Sequence, residues 1–268
     1  MYMPNKQPAK MLAVERQRKI LEMLDANSSV RISDICSTYG VSAVTARSDL
    51  DVLEHDGKLK RTHGGAVPVT QYVIPRVPQR LRRNAKAKQS IARYAASLVS
   101  DGEMILVGSG STTLAFVRAL SEKKGITIIS NDCNVIEYAE QHLPNATIVS
   151  TGGSLGRDYR HYYGSMVASS LSDIYLDKVF LGADGFEPDF GFLAEFEQTA
   201  LTKVEFLKHA RNKIMLMDST KVGAGRSFVR FAKPSEFDIV IMDRDPDGIV
   251  AAAVANPDHE VKVISTEI

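Results

Sequence analysis

An α/β chain in two modules is what this sequence predicts: a small basic helical module ahead of a larger one built on a mostly parallel sheet. Three observations predict it. Lys and Arg outnumber Asp and Glu by nine in residues 1–93, and the remainder runs eight the other way, so a net charge of +1 hides a split. Two short helical patterns meet at Gly40. From about residue 85 onward, short apolar runs alternate with helical patterns, as in α/β domains.

The 268 residues suffice for one large domain or two smaller ones without disulfide staples. Charged residues make up 24% of the chain and no apolar run reaches the roughly 18 residues of a membrane span. The start, "MYMPNKQPAKMLAVERQRK", lacks an apolar signal core. Cys36 and Cys133 stand in unrelated contexts, which fits a reducing cytoplasm better than a disulfide framework. The six histidines show no metal-ligand spacing, so no metal site is expected.

The first helix is predicted over "AVERQRKILEMLD" (13–25), where Ile20, Leu21 and Leu24 share a face. In "RISDICSTYG" Ser33 can cap a short helix that Gly40 ends. Ser42 is a natural cap for a helix from Ala43 to about His55. Ala43, Ala46, Leu50 and Leu53 form its buried stripe, so Val44, Arg47, Ser48 and Asp51 point outward. Two short helices joined by a glycine turn read as helix-turn-helix, with the second helix aimed at a DNA major groove. Arg47 can reach guanine or phosphate, and Ser42, Thr45 and Ser48 can bond to either. "GKLKRTHGGAVP" reads as a β-wing that puts Lys58, Lys60, Arg61 and His63 beside the phosphate backbone. A small helical domain with a solvated charged face is the plainer alternative; the charge split and the basic hairpin weigh against it.

"PVTQYVIPRVPQRLRRNAKAKQ" (68–89) carries three prolines and a basic cluster, and marks a boundary. Residues 1–67 form the winged helix-turn-helix module, 68–84 a linker and 85–268 the second domain. Arg80, Arg82, Arg83, Lys86 and Lys88 either add nonspecific attraction for DNA or belong to a solvated linker and first helical turn.

In the second domain a helix is predicted over "AKQSIARYAASLV". "EMILVG", "ITIIS" and "ATIVS" follow as strands, with helices "TTLAFVRALSEK" and "NVIEYAEQH" between them. "KVFLGADG" and "KIMLMD" are strands around the helical "EQTALTKVEFLKHARN". "FDIVIMD" and "VKVIS" close the domain around a short helix in "PDGIVAAAVAN". Ligands in such sheets bind beyond the carboxyl ends of the strands. Five clusters follow strands and should share that rim: Gly108 to Thr113, Ser130-Asn131-Asp132, Thr151-Gly152-Gly153, Gly182 to Gly185, and Asp218 to Lys221. Gly110, Ser111, Thr112 and Thr113 offer amides and hydroxyls to an anion at a helix N-terminus. Lys221 adds positive charge, Asp184 and Asp218 can accept hydrogen bonds from sugar hydroxyls, and Asn131, Gly152 and Gly153 complete the rim. Arg157, Arg160 and His161 in "LGRDYRHYYG" either reach the phosphate or form a surface loop. The whole describes a site for a small phosphorylated sugar or polyol. Gly108-x-Gly110-x-x-Thr113 also imitates a dinucleotide fingerprint, but Thr is too large for its third position.

"VSAVTARSDLDVLEHDGKLKRTHGGAV" (41–67) resembles the signature of the DeoR family of bacterial transcription factors, with Ser48 where the family usually has a second Arg. "ISNDCNVIEYA", "STGGSLGRDYRHYYGSMV", "VFLGADGFEPDFGF" and "LMDSTKVG" are similar to successive blocks of the DeoR-type effector domain. The resemblance implies a fold like that of ribose-5-phosphate isomerase and glucosamine-6-phosphate deaminase, and a sugar-phosphate sensor. It also implies a place for Lys203 in the site. Gly108 and Thr199 stand where the family usually carries carboxylates.

The sequence therefore predicts a repressor-like regulator of a carbohydrate catabolic operon. Its expected partners are double-stranded operator DNA, a phosphorylated effector, and further copies of itself as a dimer or tetramer. No cofactor and no catalysis are expected. The rival readings are a sugar-phosphate isomerase or deaminase with a DNA-binding appendage, and an NAD-binding redox sensor.

Overall fold

The computed structural model describes residues 11–27, 29–62, 64–68, 77–156, 159–225, 227–255 and 260–266. The chain divides into two compact units, Met1–Ile74 and Pro75–Ile268.

In the first unit α1 (Ala13–Asn27) is followed by β1 (Val30–Arg31), α2 (Ile32–Tyr39), α3 (Ala43–His55), β2 (Leu59–Thr62) and β3 (Gly65–Pro68). Ile20 and Leu24 of α1 meet Ile35 of α2 and Ala46, Leu50 and Leu53 of α3 in one small core, closed by Leu59 and Ala66 of the hairpin. Gly40 ends α2 in the left-handed conformation, and its N–H donates to the Cys36 carbonyl. Ser42 caps α3 by accepting from the Thr45 N–H at 3.2 Å. Ser33 does not cap α2, because the helix already begins at Ile32 and Arg31 takes the cap position without a side-chain bond. Ala43 is exposed, since the first turn of α3 lies before the stripe reaches the core. β3 pairs with β2 and also with β1, Val30 facing Ala66 and Arg31 facing Gly65. A Cβ at Gly65 would stand 1.9 Å from the Val30 carbonyl oxygen, so only glycine lets the third strand approach.

The second unit opens with α4 (Val77–Arg82) and α5 (Ala85–Ser97), then β4 (Met104–Val107), α6 (Ser111–Arg118), β5 (Thr127–Ser130), α7 (Cys133–His142) and β6 (Thr147–Ser150). A hairpin of β7 (Ser154–Gly156) and β8 (His161–Tyr163) leads to α8 (Ser165–Leu171) and β9 (Leu176–Gly182). Then come β10 (Gly185–Glu187), β11 (Gly191–Ala194), α9 (Glu197–Phe206), β12 (Ala210–Leu216), β13 (Val229–Ala232), β14 (Ile239–Met242), α10 (Ile249–Val254) and β15 (Lys262–Ser265).

Seven strands form one sheet in the order β15-β14-β12-β9-β4-β5-β6. Every neighbouring pair in it is parallel. Its central strands are buried on both faces and read as unbroken apolar runs. Ile105, Val107 and Phe180 point to the face covered by α5, α6 and α7, and Phe116 stacks on Phe180 at 4.2 Å. Leu106, Val179 and Leu181 point to the other face, covered by α8, α9, α10 and a small antiparallel sheet, β10-β11-β13. That small sheet, the β7–β8 hairpin and α8 had no counterpart in the sequence reading. The α9 helix stops at Phe206, short of the predicted Asn212, because the sheet captures the chain from Ala210, which pairs with Leu176.

The segment predicted as linker contains α4. The corner after it is pinned from two sides. Lys88 is buried, and its Nζ donates to the carbonyls of Arg80, at 2.7 Å, and of Arg83. Burial draws this ammonium down to about 8. Lys88 is therefore a staple of the corner rather than a DNA-facing charge. Asn84, in the left-handed conformation, donates from Nδ2 to Asp218 Oδ1 at 2.9 Å and to Thr220 Oγ1 at 3.1 Å.

Candidate functional site

The outward face of α3 presents Val44, Arg47 and Ser48 to solvent, with Thr45 half-buried beside them. Ser42 and Thr45 are engaged in the cap, their hydroxyl oxygens 3.0 Å apart. In the wing Lys60 is exposed. The Arg61 guanidinium pairs with Asp51 on α3, and the Arg61 backbone N–H donates to Glu54 Oε1 at 2.7 Å. These bonds tie the wing to the helix and fix their spacing. Lys58 pairs with Asp56 at 2.9 Å. His63 lies outside the described residues.

The second site follows from strand order. After β4 the chain adds β5 and β6 on one side; β9 then returns to pair with β4 from the other. The loops leaving β4 and β9 therefore diverge, and a crevice opens beyond their carboxyl ends. A cleft of about 650 Å³, its mouth included, lies there. The loop after β4 brings Ser109 and Gly110, with Ser111 and Thr112 at the start of α6. Asp132 follows β5, Gly182 to Asp184 follow β9, and Lys221 follows β12. Tyr159 and His161 come from the β7–β8 hairpin, Glu195 and Phe196 from the end of β11, and Thr199 and Lys203 from α9. Arg80 reaches in from α4.

Asp184 is the electrostatic centre. Its Oδ1 accepts from Arg80 Nη2 at 2.5 Å, and its Oδ2 accepts from the Glu195 N–H at 3.2 Å. Burial alone would raise this carboxyl; Lys203, Arg80 and Lys221 outweigh it and pull it down to about 2. Lys203 is fully enclosed, with Nζ donating to the Gly182 carbonyl at 2.6 Å and lying 4.9 Å from the Phe231 ring centre. Burial lowers its ammonium below the ordinary range while Asp184 opposes that shift. Asp132 is pushed up to about 6 by burial, against the bonds it accepts from Asn134 and from the Gly110 N–H.

His161 is buried in the same wall, and its Nδ1 has no hydrogen-bond partner among the described residues. Burial, helped by Lys203 and Arg80 against Asp184, lowers its imidazole from 6.5 to about 4. The folded state therefore holds it neutral. As pH falls through the unfolded value, the unfolded chain takes up a proton that the folded chain refuses. Stability is lost from about 6.5 down to about 4. Asp132 acts in the opposite sense, since its raised pKa favours folding as pH drops through 6. His161→Gln isolates the imidazole. Moving from about pH 7.5 to about pH 5, wild type should lose about 2 kcal/mol more than the variant. Urea midpoints of the second unit at both pH values measure it, and parallel losses would remove His161 as the cause.

Of the residues predicted for this site, Gly110, Ser111, Thr112, Asp184, Lys203 and Lys221 line the cleft. The Gly110 N–H is already given to Asp132 Oδ2, at 3.2 Å, so the amides left for an anion are those that follow it in α6. Five others do not line it. Thr113 is turned into the core and donates to the Gly110 carbonyl. Asn131 is buried and donates to the Tyr162 carbonyl, holding β8 against the sheet. Gly152 and Gly153 make the turn from β6 to β7. Asp218 caps the short 3-10 turn Ser219–Lys221 and receives Asn84. These bonds engage its Oδ1, and its Oδ2 is buried with no hydrogen-bond partner among the described residues. Arg160 pairs with Glu137 on the surface, and Arg157 lies outside the described residues.

Arg80 is the cleft residue the sequence reading placed elsewhere, among linker charges; its composition signalled only basicity. Thr199 lines the wall, so the departure from the family's carboxylate falls inside the site. Gly108 closes the end of β4, where a Cβ would stand 2.6 Å from Leu181 Cδ2. No helix among the described residues is long and apolar enough to cross a membrane.

Comparison with known proteins finds a family domain in each half of the chain. Residues 16–72 match the DeoR-like helix-turn-helix domain, and residues 83–244 match the DeoR C-terminal sensor domain. The chain is 31% identical to the uncharacterized HTH-type transcriptional regulator YulB of Bacillus subtilis strain 168, over 96% of this chain and 98% of that protein. It is 32% identical to the HTH-type transcriptional repressor GlcR of the same organism, over 87% and 89%. Among solved structures it resembles ribose 5-phosphate isomerase A of Methanocaldococcus jannaschii, at 22% identity, over 52% of this chain and 55% of that one, with a TM-score of 0.40. With a helix-turn-helix match at its front and a sensor match over more than half its length, the chain belongs to the DeoR family of transcriptional regulators.

Proposed function

We propose that this regulator represses a carbohydrate catabolic operon, and that a phosphorylated sugar or polyol in the cleft of the second unit controls its grip on DNA. The observation that carries the reading is the cleft itself. The N-terminus of α6 faces Arg80, Lys203 and Lys221, and Asp184 stands among them as an ionised acceptor. A helix N-terminus and cations suit the phosphate; a carboxylate held ionised suits sugar hydroxyls. The name of GlcR, a repressor, supports the direction of control.

Binding without turnover fits two of the three carboxyls that line the cleft, Asp184 and Asp132, Glu195 being the third. Abstracting a proton next to a carbonyl calls for a base whose pKa lies near the working pH. Asp184, at about 2 and bonded to Arg80, is far too weak. Asp132, at about 6, spends Oδ2 on the Gly110 N–H and Oδ1 on Asn134. Operators for such proteins are two-fold, which calls for a dimer or tetramer.

The test pairs promoter fragments with a panel of ribose 5-phosphate, fructose 6-phosphate and glycerol 3-phosphate. Wild type should bind its operator in a salt-sensitive way, and one phosphorylated compound should change that affinity by at least about fivefold. Arg47→Ala should weaken operator binding about tenfold to a hundredfold and lower the preference for operator over random DNA. An unchanged preference would remove Arg47 from the groove. Steady turnover of a panel compound, or indifference to all of them, would overturn the sensor reading.

A further inference from the structure

We propose that Arg80 is a latch. Its guanidinium holds Asp184; when the anionic group of the ligand enters the cleft, the guanidinium transfers to it and α4 moves. The movement is passed to the chain that leads into α4 from the DNA-binding unit. The proposal rests on the reading of the cleft as a sugar-phosphate site. It concerns a residue outside both family matches, since one ends at 72 and the other begins at 83.

Position comes first. The second unit starts at Pro75 and α4 starts at Val77, so α4 is the first helix after the chain that joins the units. At six residues it is too short to hold itself together and depends on its tethers. Two of them, Lys88 on the carbonyls of Arg80 and Arg83 and Asn84 on Asp218 and Thr220, secure the C-terminal end and the corner. Arg80 to Asp184 is the tether that runs through the cleft. Releasing it removes the tie to the cleft wall and leaves α4 held by Lys88, by Asn84 and by Leu81 packed on the core, points about which the helix can shift.

Chemistry gives the reason for transfer. A guanidinium presents a planar fork that matches a phosphate in two bonds, and a phosphate carries more charge than one carboxylate. Lys203 cannot make the move, because it is enclosed and bound to the Gly182 carbonyl. It serves another purpose: it stays beside Asp184, so Arg80 can leave without stranding a buried carboxylate. The Tyr159 ring, 5.5 Å from the Arg80 guanidinium carbon, gives a flat face along which the group can shift. A ligand shifts an equilibrium only through contacts that differ between the two states, and the Arg80 contact is such a difference.

The experiment titrates an operator fragment with full-length protein by fluorescence anisotropy, with and without the panel compound that acts on wild type. Arg80→Ala should show, with no compound added, an operator affinity within about threefold of the compound-saturated wild type. Adding the compound should then change it less than about twofold. Asp184→Asn, which releases the same tether from the other side, should shift the compound-free affinity in the same direction. Arg80→Lys, which keeps a charge but loses the fork, should retain part of the response. If Arg80→Ala keeps the wild-type affinity without compound, or responds as wild type does, the latch is overturned and the sensor reading survives. If wild type answers to no compound, both fall together. Should circular dichroism show Arg80→Ala unfolded, the compound-free affinity of Asp184→Asn decides: a shift toward the saturated value upholds the latch, and a wild-type value overturns it.

Discussion

Replacing Arg16 by methionine should lower the stability of the helix-turn-helix unit by about 3 kcal/mol, a large share of what so small a core supplies. Arg16 Nε and Asp49 Oδ2 lie 2.6 Å apart, with both side chains almost hidden from water. Arg16 Nη2 adds a second bond to Asp49 Oδ1 at 3.1 Å, and Nη1 donates to the Met11 carbonyl at 3.2 Å. The paired bond raises the Arg16 guanidinium above its ordinary range, so it is charged at every working pH. Methionine fills similar space but leaves Asp49 a buried carboxylate. Gln17 Nε2 still donates to it at 3.1 Å, which keeps the loss at the lower end for a broken buried pair. The double substitution Arg16→Met with Asp49→Leu should recover most of the loss, because neither charge is then stranded. Urea unfolding of the four proteins of the cycle measures this. A single substitution costing under about 1 kcal/mol would show that water reaches the pair.

The second large effect is on the ligand. Lys203→Met should weaken the phosphorylated compound about a hundredfold, because Asp184 then keeps Arg80 to itself and the anion loses the guanidinium; a charge-assisted contact in an enclosed site is worth about 2–3 kcal/mol. Folding stability should fall less than ligand affinity. Lys203 is itself disfavoured by burial, so its removal relieves one penalty while Asp184 loses its strongest compensating charge. Isothermal titration with the active panel compound, beside urea unfolding, separates the two quantities. Wild-type ligand affinity in this variant would take Lys203 out of the site.

The parts of this molecule that were legible share one property: their sequence pattern has a single physical cause. A parallel strand buried on both faces must be apolar throughout, so the runs ending at Val107, Ser130, Gly182 and Leu216 located the sheet. The loops that leave those strands held most of the cleft. Where one residue type serves two causes, the reading failed. Asp49 sits on a helix beside Leu50 with no pattern of its own to read, and it is buried because Arg16, 33 residues earlier, reaches it. Arg80 and Lys88 read either as charges for DNA or as part of a solvated linker and first helical turn; one lines the cleft and the other staples the corner after α4. Asn131 and Asp218 do not line the cleft: one donates to the Tyr162 carbonyl and the other receives Asn84, contacts with residues 31 and 134 positions away that no local pattern announces. The β10-β11-β13 sheet is not legible because its strands, GFE, GFLA and VRFA, carry glycine or charged residues and make no unbroken apolar run.

Gly108 sets the room at the end of β4. Any side chain there needs space for its Cβ, and the Leu181 methyl occupies that space at 2.6 Å. Leu181 is itself sealed in the core, so its methyl must turn within packed surroundings to make way. The two positions are therefore coupled: a bulkier residue at the strand end is admitted only when the leucine beside it repacks, and the cost is felt beneath the sheet rather than at the mouth of the cleft.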